Sequence, residues 1–177
     1  MSWPISVQAV VELGRLPWHG WRRAMSQADR EKCVAAMQLL DVTDLAGRPA
    51  TELSGGEQAR VLMARAMAQD TPVLLADEPV SGLDPAHQIS MMAALRHLAG
   101  QGRTVFVSLH DLSLAARWCD RLVLMKDGMI AADGTPDKVM TDTTLRDVYG
   151  ISARIGRDDC GLWLAPLGLT EGGMKNG

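Results

Sequence analysis

The sequence predicts an α/β fold in which a parallel sheet is flanked by helices and joined to a helical subdomain. Three observations carry this. The run Val73-Leu74-Leu75-Ala76-Asp77-Glu78-Pro79 is nearly all apolar until two carboxylates and a proline close it, as expected of a parallel strand covered on both faces. Thr104 to Ser108 is a second such run, β-branched and aromatic,. The pattern between them is helical, and strand, helix, strand in this order gives a right-handed crossover. Before residue 71 the apolar spacing is helical. The chain therefore divides into a helical part at 1–70, a sheet-bearing core at 71–133 and a tail of short helices with a small hairpin at 134–177.

Each element has a local reason. Ser6 to Leu13 reads as a short helix with Val7, Val10 and Val11 on one face, and Gly14 to Trp21 as a loop holding Pro17 and Gly20. Ser26 to Leu40 is a helix: Ser26 caps it, Asp29 stands at the third position, and Cys33, Ala36, Met37 and Leu40 form a stripe,. A connector with Gly47 and Pro49 leads to a second long helix, with Ala59, Leu62, Met63, Ala66 and Met67 expected on its core side and Arg60 and Arg65 off that stripe. Asp84 caps the next helix with Pro85 at its first position, the place proline prefers,. Met91, Met92, Leu95, Leu98 and Ala99 face inward, and Gly100 ends it. Asp111 to Cys119 is a further helix. Lys126-Asp127-Gly128 between apolar runs signals a hairpin. Pro136 to Met140 and Thr144 to Tyr149 read as short helices, and Ser152 to Ile155 with Leu162 to Ala165 as a last hairpin.

Composition narrows the function. The 177 residues suffice for one domain with a real core,. No apolar run is long enough to span a membrane, and the first residues lack the basic start and apolar run of a signal peptide. Net charge is -3 without a basic block, which argues against nucleic acid as the main partner. Cys33, Cys119 and Cys160 are odd in number and far apart, which suits thiols in a reducing compartment and no metal spacing.

Chemistry concentrates in two stretches. In Leu53-Ser54-Gly55-Gly56-Glu57-Gln58, Ser54 is a good N-cap and Glu57 stands at the capping-box position,. Gly55 and Gly56 leave the first turn without side chains, so its N–H groups can approach a ligand. A helix start of this kind suits phosphate. Asp77 and Glu78 fall at the carboxyl edge of the sheet, where α/β proteins hold ligands.

These residues resemble the ATP-binding-cassette (ABC) ATPases. L-S-G-G-E-Q resembles their signature motif, V-L-L-A-D-E-P their Walker B strand with its catalytic Glu, Ser81-Gly82-Leu83-Asp84-Pro85 their D-loop, and Ser108-Leu109-His110-Asp111 their switch histidine. The motifs stand in the family's order, and the likeness runs from about Val7 to about Asp133. It implies a P-loop NTPase-like core and ATP with Mg²⁺ as cofactors. Asp77 would partner Mg²⁺, Glu78 would serve as general base or orient the water, and His110 would contact the γ-phosphate. Ser54, Gly55, Gly56 and Glu57, with Ser81 and Asp84, would face ATP held by a second subunit. It also implies transmembrane permease subunits and a second ATP-binding subunit as partners, and a cytoplasmic place on the inner face of the membrane.

One part of the pattern has no counterpart. No G-x-x-x-x-G-K-[ST] occurs, and only 52 residues precede Leu53. That loop cradles the phosphates. The sequence is therefore expected to be an ABC ATPase lacking its N-terminal part, incapable of holding ATP alone. Val80 stands where many relatives have Thr, and Ala59 where a polar residue is common. Three readings remain. The chain is the ATP-hydrolysing subunit of an importer, most like those for iron–siderophore, haem or cobalamin. Or it is a non-catalytic partner that offers only the signature half-site. A soluble ATPase of DNA repair or translation is disfavoured by the lack of coiled-coil heptads and basic tracts. Trp3, Trp18 and Trp21 either help form a docking surface for the membrane subunits or cover the helical subdomain. Arg15, Arg22 and Arg23 are expected on a solvated face.

Overall fold

A computed structural model describes residues 5–19 and 24–170. Two compact units follow one another in the chain, Met1–Ser108 and Leu109–Gly177.

The first unit begins with a helical layer. Ser6 accepts from the Ala9 amide and starts α1 (Val7–Glu12). The expected loop after it is instead helical: a 3₁₀ turn at Leu13–Arg15 runs into α2 (Leu16–His19). Pro17 is tolerated because it lies in the first turn, where no N–H is needed. Gly20 and Trp21, the end of that expected loop, lie outside the described residues. α3 (Gln27–Leu39) starts on a complete capping box, Ser26 with Asp29. Ser54 and Glu57 form a second one at the start of α4 (Gly55–Ala68). α4 packs on both α1 and α3, and Val7, Val11, Cys33, Met37, Val61 and Met67 are buried there.

The inward stripe of α4 differs from the expected one. Val61, Met63, Ala64, Met67 and Ala68 are buried, whereas Leu62 is 47% exposed. α4 touches two neighbours, so its buried arc is set by both rather than by one apolar seam.

Arg15 also departs from expectation. It is 4% exposed. Its guanidinium pairs with Asp29 at 2.7 Å and donates to the carbonyls of Ala68 and Gln69, each at 2.9 Å. Trp18 lies against it, 5.3 Å from guanidinium carbon to ring centroid, and gives its indole N–H to Gln69. Trp18 is thus tied to the end of α4 although its ring remains largely exposed. Trp3, Trp21, Arg22 and Arg23 lie outside the described residues. Asp29 is held down to about 2 by hydrogen bonds from Ser26 and then Arg15.

The second layer is β1 (Val73–Ala76), α5 (Pro85–Gly100) and β2 (Thr104–Val107). The strands pair in parallel, Val73 with Thr104 through Ala76 with Val107. They are not buried on both faces as expected. Leu74 faces the core, but Leu75 is 75% and its cross-strand partner Phe106 is 60% exposed. α5 packs on β2 and buries Met91, Met92, Ala94, Leu95 and Leu98.

The second unit holds α6 (Leu112–Trp118), two antiparallel hairpins and short helical turns. β3 (Leu122–Lys126) and β4 (Met129–Gly134) turn at Asp127 and Gly128. Both turn residues have positive φ, 50° and 76°, which a two-residue hairpin loop requires and which Asp-Gly supplies. α7 (Pro136–Val139), α8 (Asp142–Thr144) and a π turn at Leu145–Tyr149 lead to β5 (Ile151–Asp158) and β6 (Gly161–Leu169). The last hairpin forms around Asp159 and Cys160, longer on both arms than the sequence predicts. Leu122, Leu124, Val139, Leu145, Leu162 and Leu164 share this unit's core with Ala115 and Ala116 of α6.

Candidate functional site

Two surfaces of the first unit carry the residues singled out by their sequence. One is the start of α4. Ser54 Oγ accepts from the Glu57 amide at 3.3 Å, and Glu57 Oε2 accepts from the Ser54 amide at 2.7 Å. Hydrogen bonds from Ser54, its amide first and its side chain second, hold the Glu57 carboxyl below the usual range. Arg48 reaches the same carboxylate at 3.3 Å. Glu57 is thus committed to building the cap.

Gly55 and Gly56 follow in the first turn. A Cβ at Gly55 would meet nothing within 4 Å, and one at Gly56 only the Leu83 side chain at 3.5 Å. Nothing inside the chain requires glycine at Gly55. Bare N–H groups at a helix start, with open space before them, are the features that admit an anion.

Leu83 brings the second group beside the first. Residues 80–84 turn back from β1, with Val80 and Leu83 buried and Ser81 and Asp84 exposed. The turn is closed by the Ser81 amide on the Glu78 carbonyl, 3.0 Å, and the Leu83 amide on the Val80 carbonyl, 3.2 Å. Asp84 caps α5 through the His87 amide at 3.0 Å and also meets His87 Nδ1 at 2.5 Å. These two contacts, the amide first, keep its carboxyl low. Val80 fills a core position that does not need the hydroxyl of the common Thr.

The other surface lies past the end of β1. Asp77 and Glu78 come just after the strand rather than inside it, and both are exposed. Glu78 has φ 44°, a left-handed backbone that non-glycine residues enter rarely. The Glu78 amide donates to Ser108 Oγ at 2.9 Å, and Ser108 Oγ donates to Asp77 Oδ1 at 2.5 Å. Neither the strain at Glu78 nor the part played by Ser108 was legible in the motif pattern. A hydroxyl two residues before His110 was the available signal.

His110 is an exposed residue near the start of the second unit. Beside it, Asp111 caps α6 by accepting from the Leu114 amide at 2.9 Å. Among the described residues no group of three or more His, Cys, Asp and Glu could hold a metal. Asp77 therefore fits Mg²⁺ only as one carboxylate toward an ion that arrives with a nucleotide. No helix among the described residues is long and apolar enough to cross a membrane.

Residues 6–81 match the ABC transporter family model. The chain is 45% identical over 149 residues to the hemin import ATP-binding protein HmuV of Streptomyces coelicolor, covering 84% of this chain and 52% of that protein. It is 43% identical over 159 residues to the cobalamin import ATP-binding protein BtuD of Halobacterium salinarum, covering 89% of this chain and 39% of that one. The chain thus spans about half the length of the curated relatives it matches. In fold it is similar to a metal-chelate type ABC transporter in an inward-facing conformation, with TM-score 0.82, 24% identity, and 97% of this chain and 69% of that one covered. A dimeric bacterial ABC transporter cassette gives TM-score 0.65 at 32% identity, over 76% of this chain and 58% of that one. Over residues 6–81 the chain belongs to the ABC transporter family, and over 84% of its length it is similar to a hemin import ATP-binding protein.

Proposed function

We propose that this chain is the nucleotide-hydrolysing part of an ABC importer for a metal chelate of the haem or cobalamin kind, acting at the inner face of the membrane beside permease subunits. The observation that carries it is the open first turn of α4, where Gly55 has space for a ligand and Leu83 of the adjoining turn touches the place a Gly56 side chain would take. Ser54, Gly55 and Gly56 close over a triphosphate held by a second ATP-binding subunit, while Ser81 and Asp84 meet that subunit at the same seam. Asp77 would partner Mg²⁺ through a water, Glu78 would take up or orient the attacking water, and His110 would contact the γ-phosphate. Mg²⁺ supplies charge neutralisation on the phosphates. The chain's residues supply position.

The names of the curated relatives favour hemin or cobalamin as cargo. The test is ATP turnover by the transporter assembled with this chain and its permease subunits. A positioned base contributes about 10²–10⁴ in rate, so Glu78→Gln should lower turnover by about that factor with assembly intact. Full turnover in that variant would refute the assignment.

A second reading is favoured by the lack of G-x-x-x-x-G-K-[ST] in these residues. The chain then contributes only the signature half-site, and the partner alone binds ATP. Glu78→Gln would in that case leave turnover unchanged, while Gly55→Ala would lower it.

A further inference from the structure

The last residue of the first unit makes contacts to three consecutive residues across the sheet. The Ser108 amide donates to the Ala76 carbonyl at 3.0 Å, continuing the β1–β2 ladder by one step. Its hydroxyl then donates to Asp77 Oδ1 at 2.5 Å and accepts from the Glu78 amide at 2.9 Å. One hydroxyl carries one proton and two lone pairs, so both bonds are available at once.

We propose that Ser108 is a positioning residue for the Asp77–Glu78 pair, a single hydroxyl fixing the carboxylate of the first and the left-handed backbone of the second. The proposal rests on the reading of that pair as ion-side carboxylate and water-orienting base. Asp77, Glu78 and Ser108 are all exposed. Hydrogen bonds made in water add little to folding because the same groups bond to solvent when unfolded. What these two bonds set is direction. The hydroxyl occupies one oxygen of the Asp77 carboxylate and so limits its rotation. The Glu78 backbone, at φ 44°, is gripped on both sides, its amide by Ser108 and its carbonyl by the Ser81 amide at 3.0 Å. An aliphatic residue at position 108 would keep the ladder bond and lose both side-chain bonds.

The test is amide hydrogen exchange on the 177-residue chain, read by NMR with the carboxyl carbon of Asp77 as a second signal. Ser108→Ala is expected to speed exchange of the Glu78 amide by roughly tenfold, the loss of one hydrogen bond, and to move the Asp77 carboxyl resonance. The amides of the β1–β2 ladder keep their rates. Ser108→Thr restores both signals, since it returns the hydroxyl. The proposal is overturned if Ser108→Ala leaves Glu78 exchange and the Asp77 resonance unchanged, if Ser108→Thr fails to restore them, or if the ladder amides accelerate along with Glu78. Glu78→Gln in the assembled transporter separates this from the functional reading: undiminished turnover there refutes the role of the pair, and the exchange result for Ser108 stands apart from it.

Discussion

The helical layer of α1, α3 and α4 and the two-stranded sheet of β1 and β2 belong to one unit but finish their surfaces differently. In the helices the repeating backbone bonds are made within the element, so the three bury their apolar arcs against one another. They do so around Met37, Val61 and Met67, and Arg15 with Asp29 fastens the α3 start to the α4 end. Strands must find partners outside themselves. β1 and β2 find each other, yet Leu75 and Phe106 stand side by side in solvent.

Mutations on the two sides should separate sharply. Met67, 5% exposed, lies at the centre of the helical layer, and Met67→Ala should cost about 2–5 kcal/mol in denaturant unfolding. Gly14→Ala should cost about 1–3 kcal/mol, because the new Cβ would stand 2.2 Å from the Arg65 carbonyl oxygen of α4. Leu75→Ala should change stability by no more than about 0.5 kcal/mol. A large loss at Leu75 would mean that its face is already packed in solution.

Acid probes the helical layer through one group. Asp29 falls from its ordinary 3.8 to about 2 in the fold, by its bonds to Ser26 and Arg15. A folded value below the unfolded one stabilises at pH above the unfolded value and ceases to do so as pH falls through 3.8 towards 2. Unfolding measured between about pH 5 and pH 2 should show this loss, and Asp29→Asn should flatten that part of the profile. On the sheet, Phe106→Lys should leave the helical layer's unfolding unchanged, since Phe106 is 60% exposed, the smallest of these effects on stability.

How much of this the residues announced depends on the range of the forces involved. The caps at Ser26, Ser54 and Asp84 and the Asp127-Gly128 turn are written within four residues, and each formed as predicted. The parallel pairing of the two apolar runs followed from the helix between them. Arg15 was misjudged because its carboxylate is fourteen residues away and its carbonyls more than fifty. The exposure of Leu75 and Phe106 was hidden for another reason. An all-apolar strand predicts cover on both faces, and in β1 and β2 one face stands exposed at Leu75 and Phe106. At the candidate site the positions of Ser54, Gly55, Gly56, Asp77 and Glu78 came from local pattern, whereas the Ser108 hydroxyl joins two strand ends thirty residues apart and needed the fold.

The contrast between a finished helical layer and an open sheet leads to one question about nucleotide. No G-x-x-x-x-G-K-[ST], the loop that cradles phosphates, occurs in these residues. Equilibrium binding of labelled ATP with Mg²⁺ to the pure 177-residue chain, alone and mixed with a complete cassette, asks it directly. The account predicts no saturable binding alone and ATP-dependent association in the mixture, weakened by Gly55→Ala. Saturable binding of ATP and its hydrolysis by the chain on its own would contradict it.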